Sequence, residues 1–164
     1  MRQYGADKTS KDVYDDIGGE VQTYYFYDPK SQTEANSCAL RLSRALNKSG
    51  YDIDRTLMPN GFYVKGADNK DYLLRVSDMV KYLTIAFGAP DIVKTRMNNI
   101  DIQQSDFTQQ GIIGFKVKGW DDATGHVTLY SGTKTAYGSY FQTDLNAEGE
   151  PDKKTVKVML WILK

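Results

Sequence analysis

The chain holds one cysteine and one histidine, and that scarcity removes several kinds of protein at once. A single cysteine excludes an intramolecular disulfide and any Cys-x-x-Cys redox pair. One cysteine with one histidine falls short of the four ligands a structural zinc site takes. No cofactor or metal is expected. Charge of one sign is not in excess either: 21 basic and 21 acidic residues give a formal net charge of zero. That removes the electrostatic footprint of a nucleic-acid binder or of a protein drawn to an anionic membrane. Nor is there an apolar run near the ~20 residues needed to span a bilayer. The opening Met-Arg-Gln-Tyr-Gly-Ala-Asp-Lys lacks the apolar core of a secretory signal. If the protein leaves the cytoplasm, it is expected to do so by a route that reads no such signal.

What is present is an ordinary globular composition, 40% hydrophobic and 26% charged over 164 residues. This length suits one catalytic domain over residues 1–164. No internal repeat, low-complexity segment or domain boundary is visible. With disulfide and metal roles removed, the chemical use left for the cysteine and histidine is as nucleophile and base.

Cys38 stands at the head of Asn-Ser-Cys-Ala-Leu-Arg-Leu-Ser-Arg-Ala-Leu-Asn-Lys-Ser-Gly, residues 36–50. Cys38, Leu42, Ala45 and Leu46 share one face of a helix, with Arg41, Arg44 and Lys48 on the other. Asn36 or Ser37 can cap its start and Gly50 can end it in a left-handed conformation. A cysteine in the first helical turn meets unbonded N–H groups and the positive end of the helix dipole, both favouring thiolate. The bland alternative is a buried cysteine used as a small hydrophobe.

Other elements follow from period and punctuation. A helix capped by Thr9 or Ser10 is expected over Lys11 to Ile17, then a strand over Val21 to Tyr27, then a polar loop from Lys30 to Ala35. Short extended segments are expected at Phe62 to Lys65 and Tyr72 to Arg75. A second helix has Ser77 as cap, an apolar face of Met79, Val80, Leu83, Ala86 and Phe87, and a stop at Gly88-Ala89-Pro90. Arg96 to Gln110 reads as a long polar connection able to line a cleft. Beyond Gly111 the period changes to two. Strands are expected at Ile113 to Val117, His126 to Tyr130, Tyr137 to Phe141 and Val156 to Leu163, with Thr143 to Lys154 a polar loop. Helices first and strands afterwards is an α+β order, most simply an antiparallel sheet packed on the cysteine helix.

A cysteine at a helix start and a histidine at a strand start are what papain-like catalysis uses. The imidazole takes the thiol proton, the thiolate attacks a carbonyl, and the imidazolium protonates the leaving amine. The backbone N–H of Cys38 would point towards the developing oxyanion.

Three blocks carry a resemblance: residues 36–50 above, Tyr-Leu-Thr-Ile-Ala-Phe-Gly-Ala-Pro-Asp at 82–91, and Gly-Ile-Ile-Gly-Phe-Lys-Val-Lys-Gly-Trp-Asp-Asp-Ala-Thr-Gly-His-Val-Thr-Leu-Tyr-Ser-Gly at 111–132. With Val13-Tyr14-Asp15-Asp16-Ile17-Gly18-Gly19 as an opening, the chain resembles the fourth family of type VI secretion amidase effectors. The resemblance implies a papain-like cell-wall amidase fold and cleavage of the peptidoglycan stem peptide between D-glutamate and meso-diaminopimelate. It also implies delivery by the type VI secretion apparatus into a rival cell's periplasm, and neutralisation by a cognate immunity protein in kin. Cys38 takes the nucleophile's place and His126 the base's.

The family follows its histidine strand with a Cys-x-Asp-x-Cys-like stretch whose aspartate orients the histidine and whose cysteines can pair. This chain has Thr135-Ala136-Tyr137-Gly138-Ser139 instead, with Tyr137 at the aspartate position. Asp144 is the favoured substitute and Gln142 the other, since the role asks only for an acceptor that fixes the imidazole tautomer. Asn36 is a helix cap or a substrate contact, and Trp120 a core residue or a cleft wall. Three functions stay open on the residues: an active peptidoglycan amidase, a non-catalytic wall-binding or interaction relative, and a papain-like protease of ordinary proteins.

Overall fold

In the computed structural model, residues 4–27, 36–98, 100–119, 124–142, 144–145 and 151–163 are described. The expected Lys30 to Ala35 loop and Trp120 lie outside them. Where the sequence shows no boundary, the chain divides into two compact units, Met1–Ala86 and Phe87–Lys164.

The first unit is mainly helical. Helix α1 (Ser10–Ile17) starts at Thr9, whose side chain accepts from the Asp12 N–H while the Asp12 carboxylate accepts from Thr9. These bonds from Thr9 hold the Asp12 carboxyl below its usual range. Gly18 and Gly19 (φ 66° and 64°) turn the chain into helix α2, Gly19–Tyr27. The strand expected at Val21 to Tyr27 is thus a helix. Its β-branched and aromatic content suits a strand, but Val21 and Tyr25, one turn apart, bury against Val13, Tyr14, Ile17 and Leu40, and that packing overrides local propensity.

Helix α3 (Cys38–Lys48) follows the expected bounds, and Gly50 adopts the left-handed conformation at φ 88°. The expected outward basic face is not outward: every residue from Cys38 to Asn47 is buried, Arg41 and Arg44 included. Their charges are accommodated by partners in the same unit. Arg41 donates from Nε to Ser37 Oγ at 2.8 Å, from Nη2 to the Lys8 carbonyl at 2.7 Å, and from Nη1 to the Gly5 carbonyl. Arg44 pairs with Asp16 at 3.2 Å. Ser37 precedes the helix but makes no side-chain cap; its hydroxyl serves Arg41 and Ser10 instead.

Strands β1 (Tyr63–Lys65) and β2 (Asp71–Leu73) form the two expected extended segments, an antiparallel pair against which α3 packs. Ser43 and Asn47 fasten α3 to β2 through the Leu73 N–H and the Asp71 carbonyl, at 3.0 and 2.9 Å. Helix α4 (Val76–Phe87) ends, as expected, at Gly88 with φ 88°.

The second unit is an antiparallel sheet. Its strands are β3 (Ile92–Thr95), β4 (Gln110–Lys118), β5 (Gly125–Ser131) and β7 (Pro151–Ile162), ordered β3-β7-β4-β5, with the two-residue β6 (Asp144–Leu145) paired to the start of β7. Ile113, Phe115 and Val117, spaced by two on β4, join Val158, Leu160, Tyr130, Phe107 and Phe141 in one core. Two expectations fail here. Tyr137 to Phe141 is no strand, held near β5 by a bridge at Thr135 and by single bonds; and the polar stretch Thr143 to Lys154 contains β6 and the first turnless residues of β7. The mixed run Lys153-Lys154-Thr155-Val156-Lys157-Val158-Met159 lies in a long central strand, laddered to β4 and, from Lys157, to β3 as well.

Replacing Arg41 by methionine keeps the volume but strands two carbonyls and a hydroxyl. It is expected to destabilise the protein by about 2–4 kcal/mol. Denaturant unfolding checks this; an unchanged midpoint would contradict it.

Candidate active site

In the first unit, Cys38 is buried and is the first residue of α3. The first helical bond runs from the Arg41 N–H to the Ser37 carbonyl at 2.8 Å. The N–H groups of Cys38, Ala39 and Leu40 thus lie ahead of the ladder, where they carry the dipole's positive end. No acidic side chain lies in that turn. The thiol donates to Asn36 Oδ1 at 3.1 Å. Asn36 therefore serves the cysteine and does not cap the helix.

In the second unit, His126 is buried as the second residue of β5, opposite Phe115 on β4. Gly125 lets β5 approach this closely, because a Cβ there would fall 2.0 Å from the Phe115 carbonyl oxygen. The imidazole lies among Tyr140, Phe115 and Tyr137, with ring centroids 5.0, 6.3 and 6.5 Å away. Its Nε2 is 2.7 Å from the main-chain carbonyl oxygen of Tyr137. A carbonyl has no proton to give, so Nε2 carries the hydrogen and Nδ1 holds the lone pair of the neutral ring.

Three features bring that carbonyl into place. The Ala136 N–H donates to the Leu129 carbonyl at 2.8 Å, and the Tyr137 N–H donates to Thr128 Oγ1 at 3.2 Å. Gly138 then turns the chain at φ 64°, beside the ring; a Cβ on it would meet His126 Nε2 at 3.2 Å and Tyr140 Cε2 at 2.9 Å. Position 137, where an aspartate was looked for, thus supplies an acceptor from its backbone.

Asp144, the substitute favoured from sequence, sits on β6 opposite Lys153 of β7. Gln142 lines a cavity of about 690 Å³ with Asp101, Ile102, Gln103, Gln104, Ser139 and Phe141. The 96–110 connection thus lines a cleft, as expected. Among the described residues no cluster of His, Cys, Asp and Glu is arranged to hold a metal ion.

The family model described as type VI secretion system (T6SS) amidase effector protein 4, Tae4, matches residues 34–161, a span holding both Cys38 and His126. The chain belongs to the Tae4 family of type VI secretion amidase effectors. Solved Tae4 structures share its fold. Tae4 from Salmonella typhimurium, in complex with the immunity protein Tai4 from Enterobacter cloacae, is 33% identical with a TM-score of 0.80, covering 99% of this chain and 95% of that one. Tae4 of the Enterobacter cloacae Tae4–Tai4 complex is 30% identical with a TM-score of 0.79, covering 99% and 94%. Tae4 from Enterobacter cloacae alone is 29% identical with a TM-score of 0.69, covering 100% and 98%. Among curated proteins, none matches significantly. The fold is thus the papain-like α+β fold of Tae4.

What residue-by-residue reading missed is the Tyr137 carbonyl. The one sequence signal was Gly138 directly after it, a residue suited to the positive φ that turns a carbonyl towards a neighbour. Nitrogen-resolved NMR of His126 is expected to show the Nε2–H tautomer. A ring protonated at Nδ1 instead would contradict the hydrogen bond to Tyr137.

Proposed function

We propose that this Tae4-family effector is a cysteine amidase in which Cys38 is the nucleophile, His126 the general base and acid, and the Tyr137 carbonyl the group that orients the histidine. The observation that carries the reading is the 2.7 Å bond at Nε2, which places the neutral ring's hydrogen there and makes Nδ1 its basic nitrogen. Nδ1 takes the proton of Cys38, and Sγ bonds to the scissile carbonyl carbon. The Cys38 N–H receives the oxyanion at the head of α3. The imidazolium then gives its proton to the departing amine as the C–N bond breaks, and water, deprotonated by Nδ1, hydrolyses the thioester and frees Sγ. With the thiol ionised, half a turn of the Asn36 amide replaces Oδ1 with an Nδ2–H donor to sulfur.

The mechanism requires thiol and imidazole to meet at one carbonyl. It does not require a carboxylate as third member, since the orienting group only accepts a hydrogen bond. The loss of the family aspartate at Tyr137 is thereby compatible with activity. No cofactor enters any step.

The substrate in this reading is the peptidoglycan stem peptide, cut between D-glutamate and meso-diaminopimelate, with the family resemblance as support for the bond. A cognate immunity protein is the expected partner, as Tai4 is in the solved complexes. Delivery by the type VI apparatus and action in the target's periplasm complete the proposal.

Muropeptide profiles by chromatography and mass spectrometry test it. Wild-type protein incubated with sacculi should release fragments with new diaminopimelate amino termini, and Cys38→Ala should lower the rate by at least about a thousandfold. Equal activity in the variant would sink the mechanism.

A further inference from the structure

We propose that Tyr140 stabilises the His126 imidazolium by a cation–π contact, supplying from an aromatic ring the charge stabilisation that a carboxylate at position 137 would have given. This rests on the amidase reading above, in which the imidazole is positively charged between taking the thiol proton and giving it to the departing amine. The Tyr137 carbonyl orients the imidazole but brings no charge to it. The rings beside the imidazole are aromatic on more than one side. Tyr140 is the nearest, with centroids 5.0 Å apart, inside the ~6 Å over which a ring face attracts a cation. Phe115 and Tyr137, at 6.3 and 6.5 Å, lie just beyond that range.

Tyr140 is held in this place from several sides. Its carbonyl accepts from the hydroxyl of Thr155, a buried residue of β7. Its ring stands edge-on to Phe115, at 6.0 Å and 73°, and Phe115 is the β4 residue directly opposite His126. The next residue, Phe141, is anchored in the core of the second unit, edge-on to the same Phe115 at 5.0 Å. Gly138 keeps the space beside both rings clear. A Cβ there would meet Tyr140 Cε2 at 2.9 Å, Tyr140 Oη at 3.2 Å and His126 Nε2 at 3.2 Å, so a side chain would wedge phenol and imidazole apart. Facing the imidazole are the phenols of Tyr137 and Tyr140 from this segment and the phenyl of Phe115 from β4; Cys38 is the titratable group with which it exchanges a proton. An aromatic neighbour acts on an imidazole in two opposite ways. Shielding from water disfavours the charged form, whereas the ring's quadrupole favours it. A substitution that keeps the bulk and removes the ring separates the two.

Nitrogen-resolved NMR titration of His126 tests this in the full chain bearing Cys38→Ala, where no thiolate contributes to the charge on the ring. Adding Tyr140→Leu, which keeps an apolar side chain against the imidazole, should lower the midpoint of the His126 titration by about half a pH unit to one pH unit. Tyr140→Phe, which keeps the ring, should recover most of that fall, and Tyr137→Leu, which leaves the backbone carbonyl, should lower the midpoint less than Tyr140→Leu does. With Cys38 restored, Tyr140→Leu should slow fragment release from sacculi by about three- to tenfold, the same shift expressed as a rate, and Tyr140→Phe should regain most of it. A midpoint unmoved or raised by Tyr140→Leu, an equal fall in Tyr140→Phe, a larger fall in Tyr137→Leu, or a shifted midpoint with an unchanged rate would overturn the contact. So would loss of the Nε2–H signal in Tyr140→Leu, which would show the residue acting through the Tyr137 carbonyl instead. The two readings fail separately: an active wild type whose titration ignores position 140 defeats the contact alone, whereas the expected titration in a protein that cuts no sacculi defeats the amidase alone.

Discussion

A carbonyl oxygen can only accept a hydrogen bond, and that asymmetry at Tyr137 governs what the single histidine can do. Bonded at Nε2, the ring is fixed both in tautomer and in orientation. Much of the second unit's local architecture serves this contact. Gly125 permits β5 to lie against β4, Thr128 and Leu129 hold the returning segment, and Gly138 makes the bend that brings the carbonyl to the ring. A neutral acceptor orients as well as a carboxylate but adds no charge, so the stabilisation of an imidazolium by ion pairing is forgone.

The first unit meets a different constraint. Helix α3 is buried around nearly its whole circumference, which is unusual for a helix with two arginines in its central turns. Carbonyls before α1, the Ser37 hydroxyl and Asp16 accommodate those charges, and in doing so they tie the N-terminal segment to the helix that begins with Cys38. The cysteine's position is therefore set by a network in which removing one partner leaves a buried polar group unsatisfied. Rigidity of this kind is what a nucleophile at a helix start needs if its N–H is also to receive an oxyanion.

Legibility in the sequence followed how local each cause was. Helices α1, α3 and α4 could be read because apolar face and terminal glycine are encoded nearby, but only the cap of α1 was read correctly: α3 has no side-chain cap, and Ser77 lies inside α4; β4 and β5 could be read from alternation. Cys38 and His126, the proposed nucleophile and base, stood out through scarcity and position. Val21–Tyr27 could not be read correctly, since its aromatic composition favours a strand and only its packing on α1 makes it a helix. Burial of Arg41 depends on residues more than thirty positions away. The third member of the site was illegible for another reason: a backbone carbonyl has no residue type, so a search for Asp or Gln passes over it.

The claim on which the rest depends is that Cys38 and His126 act as one unit. Its most direct measurement is the pH dependence of Cys38 alkylation by iodoacetamide, compared between wild type and His126→Ala. The account predicts that the wild-type rate stays high as the pH falls below neutrality, because the imidazolium sustains the thiolate, while the variant's rate falls away with thiol protonation. The same steep fall in both proteins would contradict it.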